Sequence, residues 1–213
     1  MKPIINNAGW KKAFELYKKT GEYGPPDELN LDIGDTRALF KAGRCGLLVE
    51  WGDPGPLQLD DDASAIKGKL YAISGLGSRM VLNRSTGELV PAIKSNAPHS
   101  VDGINYAPFA AFGGWAGAIN AKADQKTKDA AYAFLSYMNQ SAQSSVDVTI
   151  GATGYNPYRL SQLSSPDLFV EAGMPQELAE NYIGAINGAL NNLNMASDMK
   201  IPGAQKYTSV VLD

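Results

Sequence analysis

The sequence predicts an α/β fold, rich in helix and carrying a minority of short strands. Three observations predict it. Apolar residues recur at spacings of three and four in several stretches, which is the helix period. One short run, Cys45-Gly46-Leu47-Leu48-Val49, is unbroken and reads as a buried strand covered on both faces. Clusters of glycine and proline separate these stretches, although the order is not a clean alternation of strand and helix.

The first helix is predicted over residues 8–19, where Trp10, Ala13, Phe14 and Tyr17 make one apolar stripe expected to face a core. Gly21, Gly24, Pro25 and Pro26 end it, because proline cannot continue a helix. A short helix is expected over 36–42, with Asp35 as N-cap and Gly43 as its stop. The apolar run at 45–51 follows as a strand, and residues 52–69 as a loop. Residues 70–73, 80–82 and 89–93 are expected to be extended, with a turn at 83–87 and irregular chain over 94–106.

Further on, residues 115–119 read as a strand. Residues 127–139 form a strong helix, with Ala131, Phe134, Leu135 and Met138 on one face. A short helix over 141–150 and a glycine-bearing loop over 151–159 come next. Ser165-Pro166-Asp167 opens a helix in the favoured way, with Ser as cap and Pro at the first helical position. Gly173 ends it. A long amphipathic helix over 175–194 and a final helix over 204–212 complete the chain.

Composition narrows the function classes. The chain has 213 residues, 44% hydrophobic and 19% charged, as ordinary globular domains do. Its net charge of -3 creates no long-range field toward nucleic acid or an anionic membrane, and there is no basic run. One cysteine, Cys45, excludes an internal disulfide and a thiolate-rich zinc site. No stretch approaches the roughly 20 apolar residues of a membrane span. The first residues lack the apolar core of a secretory signal, so an exported form would draw its signal from outside this sequence.

Catalytic motifs are sparse. His99 is the single histidine, and no Gly-x-Ser-x-Gly elbow accompanies it. Gly75-Leu76-Gly77-Ser78-Arg79 lacks the third glycine of a dinucleotide loop and the Gly-Lys-Ser/Thr of a phosphate loop, so it reads as a turn. Asp60, Asp61 and Asp62 lack the alternating spacing of a calcium loop. Glu50 and Asp53 are the one pair of carboxylates that suggests glycoside hydrolysis. Neither a cofactor nor a metal is called for, and a binder is expected rather than an enzyme.

Several segments, in order, resemble the extracellular solute-binding proteins of sugar-type ABC importers, the family related to maltose-binding protein. They are the opening helix with Gly9-Trp10 and Phe14-Glu15-Leu16-Tyr17-Lys18, then Phe40-Lys41-Ala42-Gly43-Arg44-Cys45-Gly46-Leu47 leading to Trp51-Gly52-Asp53. Gly113-Gly114-Trp115-Ala116-Gly117-Ala118-Ile119 is similar to the family's crossing strand, and residues 128–135 to the helix after it. Gly154-Tyr155-Asn156-Pro157-Tyr158-Arg159 and Ile201-Pro202-Gly203-Ala204 complete the series. Cys45-Gly46-Leu47 departs from the family's common Ala-Ala-Met.

The resemblance implies a type II periplasmic-binding-protein-like α/β fold, represented mostly by its carboxy-terminal lobe with crossing segments. It divides the chain into a carboxy-terminal-lobe segment (1–112), a crossing strand with its helices (113–155) and a closing helical segment (156–213). It also implies a periplasmic or extracellular location, a sugar or polyol ligand and ABC permease subunits as partners. The amino-terminal lobe has no counterpart here, so the alternative is a truncated, non-transporting remnant that self-associates through uncovered surfaces.

A sugar offers apolar C–H faces and a rim of hydroxyls, so its site needs aromatic rings and planar polar groups. Trp51, Trp115 and Tyr155 are the stacking candidates, with Gly114 beside Trp115 on the crossing strand; Asp53, Asn156 and Arg159 are the polar rim. Each has a plainer reading. The two tryptophans and the tyrosine fit simple packing, Arg159 a surface ion pair, and Asp53 a cap on the Pro54-Gly55 turn.

Overall fold

The computed structural model describes residues 5–59, 64–111 and 114–212. It is mixed helix and small sheets, 42% helical and 8% strand, which agrees with the α/β class in its helix-rich form. The chain folds as two compact units. The first comprises Met1–Glu28, Gly75–Gly114 and Ala189–Asp213, and the second Leu29–Ser74 and Trp115–Gly188. Among the described residues no helix is long and apolar enough to cross a membrane.

In the first unit, α1 (Ala8–Thr20) begins where the Asn7 side chain accepts the Trp10 N–H at 3.0 Å. Two-residue strands β1 (Gly77–Ser78) and β4 (Asn105–Tyr106) pair antiparallel. Strands β2 (Met80–Leu82) and β3 (Leu89–Pro91) form a hairpin in which Val81 faces Val90. Its turn lies at the predicted place. Asn83 Oδ1 accepts the N–H of Ser85 and of Thr86, and Gly87 takes a left-handed φ of +77°. Strands β5 (Phe109–Ala110) and β6 (Ala196–Ser197) pair in parallel, and α8 (Ala204–Leu212) closes the unit. None of these strands contains a buried residue, contrary to the expectation of buried strands.

The aromatic stripe of α1 is also not core. Trp10 is 40% exposed, Phe14 55% and Tyr17 77%, and no residue of α1 is buried. The helix meets the hairpin through its first turn, where Gly9 approaches Leu82 and the Ala8 N–H reaches Gly87 O. Gly9 lies about 80° to 140° round the helix from Tyr17, Trp10 and Phe14, on the Ala13 edge of the apolar arc, so docking there leaves the rings uncovered.

The second unit holds the core: Val148, Phe169, Met174, Leu178, Ala179, Tyr182 and Ile183. Its helices are α2 (Ile33–Lys41), α3 (Gln125–Met138), α4 (Ser141–Asp147), α5 (Leu160–Leu163), α6 (Asp167–Glu171) and most of α7 (Gln176–Leu190). Phe169 of α6 meets the Tyr182 ring of α7 edge to face, with centroids 5.1 Å apart, a geometry that aromatic quadrupoles favour. Ser165 Oγ accepts the Asp167 N–H, but Pro166, expected at the first helical position, is itself the cap residue and the helix starts at Asp167; Gly173 ends α6 with φ +104°.

Caps shift two helix starts. Asp32, not Asp35, caps α2, while Asp35 returns the favour to the Asp32 N–H in a capping box. Asp124 caps α3 and starts it at Gln125.

Three predicted strands are irregular chain instead. In 45–51, Leu47 is 90% and Val49 89% exposed, and Cys45 is half-buried. In 115–119, Trp115 is 84% exposed. In 70–73, Ala72 pairs with a side chain rather than a strand: its N–H donates to Asn181 Oδ1 at 2.7 Å, and Asn181 Nδ2 donates to Ala72 O at 3.1 Å. An apolar run reports a demand for burial, and a strand needs in addition a neighbour to complete its ladder. Among the described residues the second unit supplies none.

Candidate functional site

The second unit buries a loop. Residues 53–58 are all buried, and Gly55–Gln58 forms a 3-10 turn. Gly55 makes this possible, because a Cβ there would stand 2.3 Å from the Tyr182 ring. The loop's entry carries Glu50, Trp51, Gly52 and Asp53.

Two carboxylates of this entry converge on one guanidinium. Arg37, on α2, donates from Nε to Glu50 Oε2 at 2.7 Å, and its Nη2 lies 2.7 Å from Asp53 Oδ2. The second contact is an ion pair, and among the described residues Oδ2 has no hydrogen-bond partner. The side chains are 18% (Arg37), 10% (Glu50) and 3% (Asp53) exposed. Burial raises the Asp53 pKa above its ordinary 3.8; Arg37 opposes that shift and Glu50 adds to it. Arg37 is raised, chiefly by its hydrogen bond to Glu50, against the effect of burial. With both carboxylates ionised the trio carries a net charge of -1.

A second segment meets the first. A 3-10 turn at Gly151–Thr153 is followed by Gly154 at φ +69°, a conformation that suits glycine. A Cβ on Gly154 would lie 3.5 Å from Asp53 Oδ2 and 3.7 Å from Arg37 Nη1. A Cβ on Gly52 would lie 2.8 Å from Asn156 Oδ1. Trp51-Gly52-Asp53 and Gly154-Tyr155-Asn156, far apart in sequence, are therefore in direct contact. Trp51 is half-buried beside them, its N–H donating to Glu50 Oε1 at 3.1 Å, and Tyr155 is 40% exposed.

The remaining candidates lie elsewhere or are otherwise engaged. Arg159 donates from Nε to Ser144 Oγ at 3.0 Å and from Nη2 to Asn139 O, and its guanidinium lies over the Tyr158 ring. Those bonds tie the start of α5 to the end of α3 and to α4. Gly114 has φ +115° and open space around its Cβ position, and Gly113 lies outside the described residues. Among the described residues the Trp115 side chain makes no hydrogen bond or ring contact.

Sequence reasoning missed Arg37, since no spacing rule connects one arginine on a short helix to Glu50 and Asp53. It also missed Tyr182. This residue is 2% exposed, and its hydroxyl has no partner among the described residues. Burial first, and then the charge of Asp53, raise the Tyr182 pKa, so the phenol stays protonated.

The chemistry open to this site is polar recognition. Asn156 offers both a donor and an acceptor and Trp51 and Tyr155 supply ring surface, while the two carboxylates are spent on Arg37. In a glycosidase two carboxyl groups face each other across a gap of about 5 to 10 Å. Here Glu50 and Asp53 both turn to the same guanidinium. Among the described residues no cluster of three His, Cys, Asp or Glu is suited to a metal, and Asp60, Asp61 and Asp62 lie outside them. No family model, no curated protein and no solved structure matches this chain.

Proposed function

We propose that the chain is the solute-binding component of an ABC importer, or its carboxy-terminal part, and captures a carbohydrate or polyol. In this reading the fold is of the type II periplasmic-binding-protein class, the location is periplasmic or extracellular, and the partners are permease subunits. The supporting observation is the contact of Trp51-Gly52-Asp53 with Gly154-Tyr155-Asn156, two segments that each carry an aromatic and a polar residue. The rings stack on C–H faces while Asn156, half-buried, bonds the hydroxyl rim; Asp53, expected on that rim, is only 3% exposed and is engaged by Arg37 instead. Arg37, itself held by Glu50, pairs with Asp53 and is thereby withdrawn from ligand binding.

Calorimetric titration of the intact chain with a panel of neutral sugars and polyols tests this. Saturable heat from at least one of them, lost in Trp51→Ala, supports it. Silence across the panel, or heat unchanged in that variant, refutes it.

A second reading, an interaction or structural domain, is favoured by the aromatic residues exposed on helices. Tyr132, Phe134 and Tyr137 on α3 are 68%, 61% and 52% exposed. Light scattering separates the two: a monomer that binds sugar favours the first, and a ligand-silent oligomer the second.

A further inference from the structure

We infer that α1 is a docking helix for an anionic lipid surface, a role independent of the ligand site. Its residues sort by chemistry around the axis. At 100° per residue, Leu16, Ala13, Tyr17, Trp10 and Phe14 occupy about 160° of arc, and Lys18, Lys11, Glu15, Lys19 and Lys12 occupy the opposite side. The helix is fixed in place by its Asn7 cap and by the contact of Gly9 with Leu82. Beyond that first turn its apolar face is open: Trp10 40%, Phe14 55%, Leu16 53% and Tyr17 77% exposed. All four lysines are exposed, and among the described residues only Lys12 has a carboxylate partner, Glu15 at 3.3 Å.

Charge decides the kind of partner. Four lysines against Glu15 give α1 a net +3, although the whole chain carries -3. Screening over about 10 Å confines the attraction to the helix itself. A second copy of α1 carries the same +3 and gains no charge complementarity, whereas an anionic surface supplies it.

The aromatic order selects lipid over a protein pocket. Phe14, wholly apolar, stands between Trp10 and Tyr17, each of which carries a polar handle that stays wet at a headgroup boundary. A dry protein pocket would have to supply partners for both handles. A helix with lysines on one side and Trp, Phe and Leu on the other lies in the membrane interface, rings inward.

The test is co-sedimentation of the full chain with vesicles. Phosphatidylglycerol mixed into phosphatidylcholine should carry the protein down, and phosphatidylcholine alone should not. Lys11→Glu should weaken binding by about fivefold or more. Phe14→Ser should weaken it by about tenfold. Both positions are exposed, so circular dichroism of the variants should match the parent. Equal sedimentation with both vesicle types, none with either, or anionic binding untouched by both substitutions would overturn the inference.

Discussion

Arg37 Nη2 lies 2.7 Å from Asp53 Oδ2, joining a capped helix to the start of a buried loop. Because Nε of the same guanidinium also holds Glu50, Arg37 is the one cation set against two largely buried anions. Removing it leaves both carboxylates uncompensated. Arg37→Met should therefore cost about 3 kcal/mol of unfolding free energy at neutral pH, read from denaturant melts. A loss below about 1 kcal/mol would mean that solvent already screens the cluster.

Asp53 carries a pH signature. Its pKa in the folded chain is raised above 3.8, chiefly by burial, so folding favours its protonated form. The resulting stability is fully present below 3.8 and is lost as pH rises through the elevated folded value. Asp53→Asn lacks this titration. Across that window the variant should gain stability relative to the parent as pH rises, in melts run at stepped pH. The opposite slope would show that attraction to Arg37 outweighs burial.

Gly55 is a steric requirement. Its Cβ position lies 2.3 to 2.7 Å from three atoms of the Tyr182 ring, which is itself locked edge to face on Phe169. Gly55→Ala should cost about 1 to 3 kcal/mol by overpacking. Near-UV circular dichroism should show a changed tyrosine environment, and an unaltered spectrum with unchanged stability would remove the constraint.

Asn181 stands in for a missing strand by pairing with both the N–H and the C=O of Ala72. Replacing it with leucine strips two partners from a half-buried main chain. Asn181→Leu should lose about 2 kcal/mol and expose the Ala72 amide to hydrogen exchange. Exchange as slow as in the parent would mean that another group holds that peptide.

What could be read in advance was local chemistry. The start of α1, the Asn83–Gly87 turn, the Ser165–Asp167 hydrogen bond and the bounds of α8 depend on residues within a turn of each other, and sequence displays such residues directly. Asp35 reads as a cap because it is half of a reciprocal box, in which either acid satisfies the local rule. Segments 45–51, 70–73 and 115–119 failed as strands because pairing depends on distant chain. Trp10 and Phe14 have the period of a core face, but period cannot say whether anything covers it. At the site, the motif residues 51–53 and 154–156 were both chosen from sequence, and their contact through Gly52 and Asn156 appears only in the fold. Arg159 was counted on the rim because nothing local shows Asn139 O and Ser144 Oγ waiting for it.

The central claim is that those two segments form one ligand-binding wall. A double-mutant cycle on sugar affinity, with Trp51→Ala, Asn156→Ala and the pair measured by calorimetry, tests it most directly. Neighbours gripping one ligand should each cost at least tenfold in Kd, about 1.4 kcal/mol, and should couple by about 0.5 kcal/mol or more. Losses that add within about 0.3 kcal/mol would place the residues in separate environments, and unchanged affinity in both single variants would contradict the site altogether.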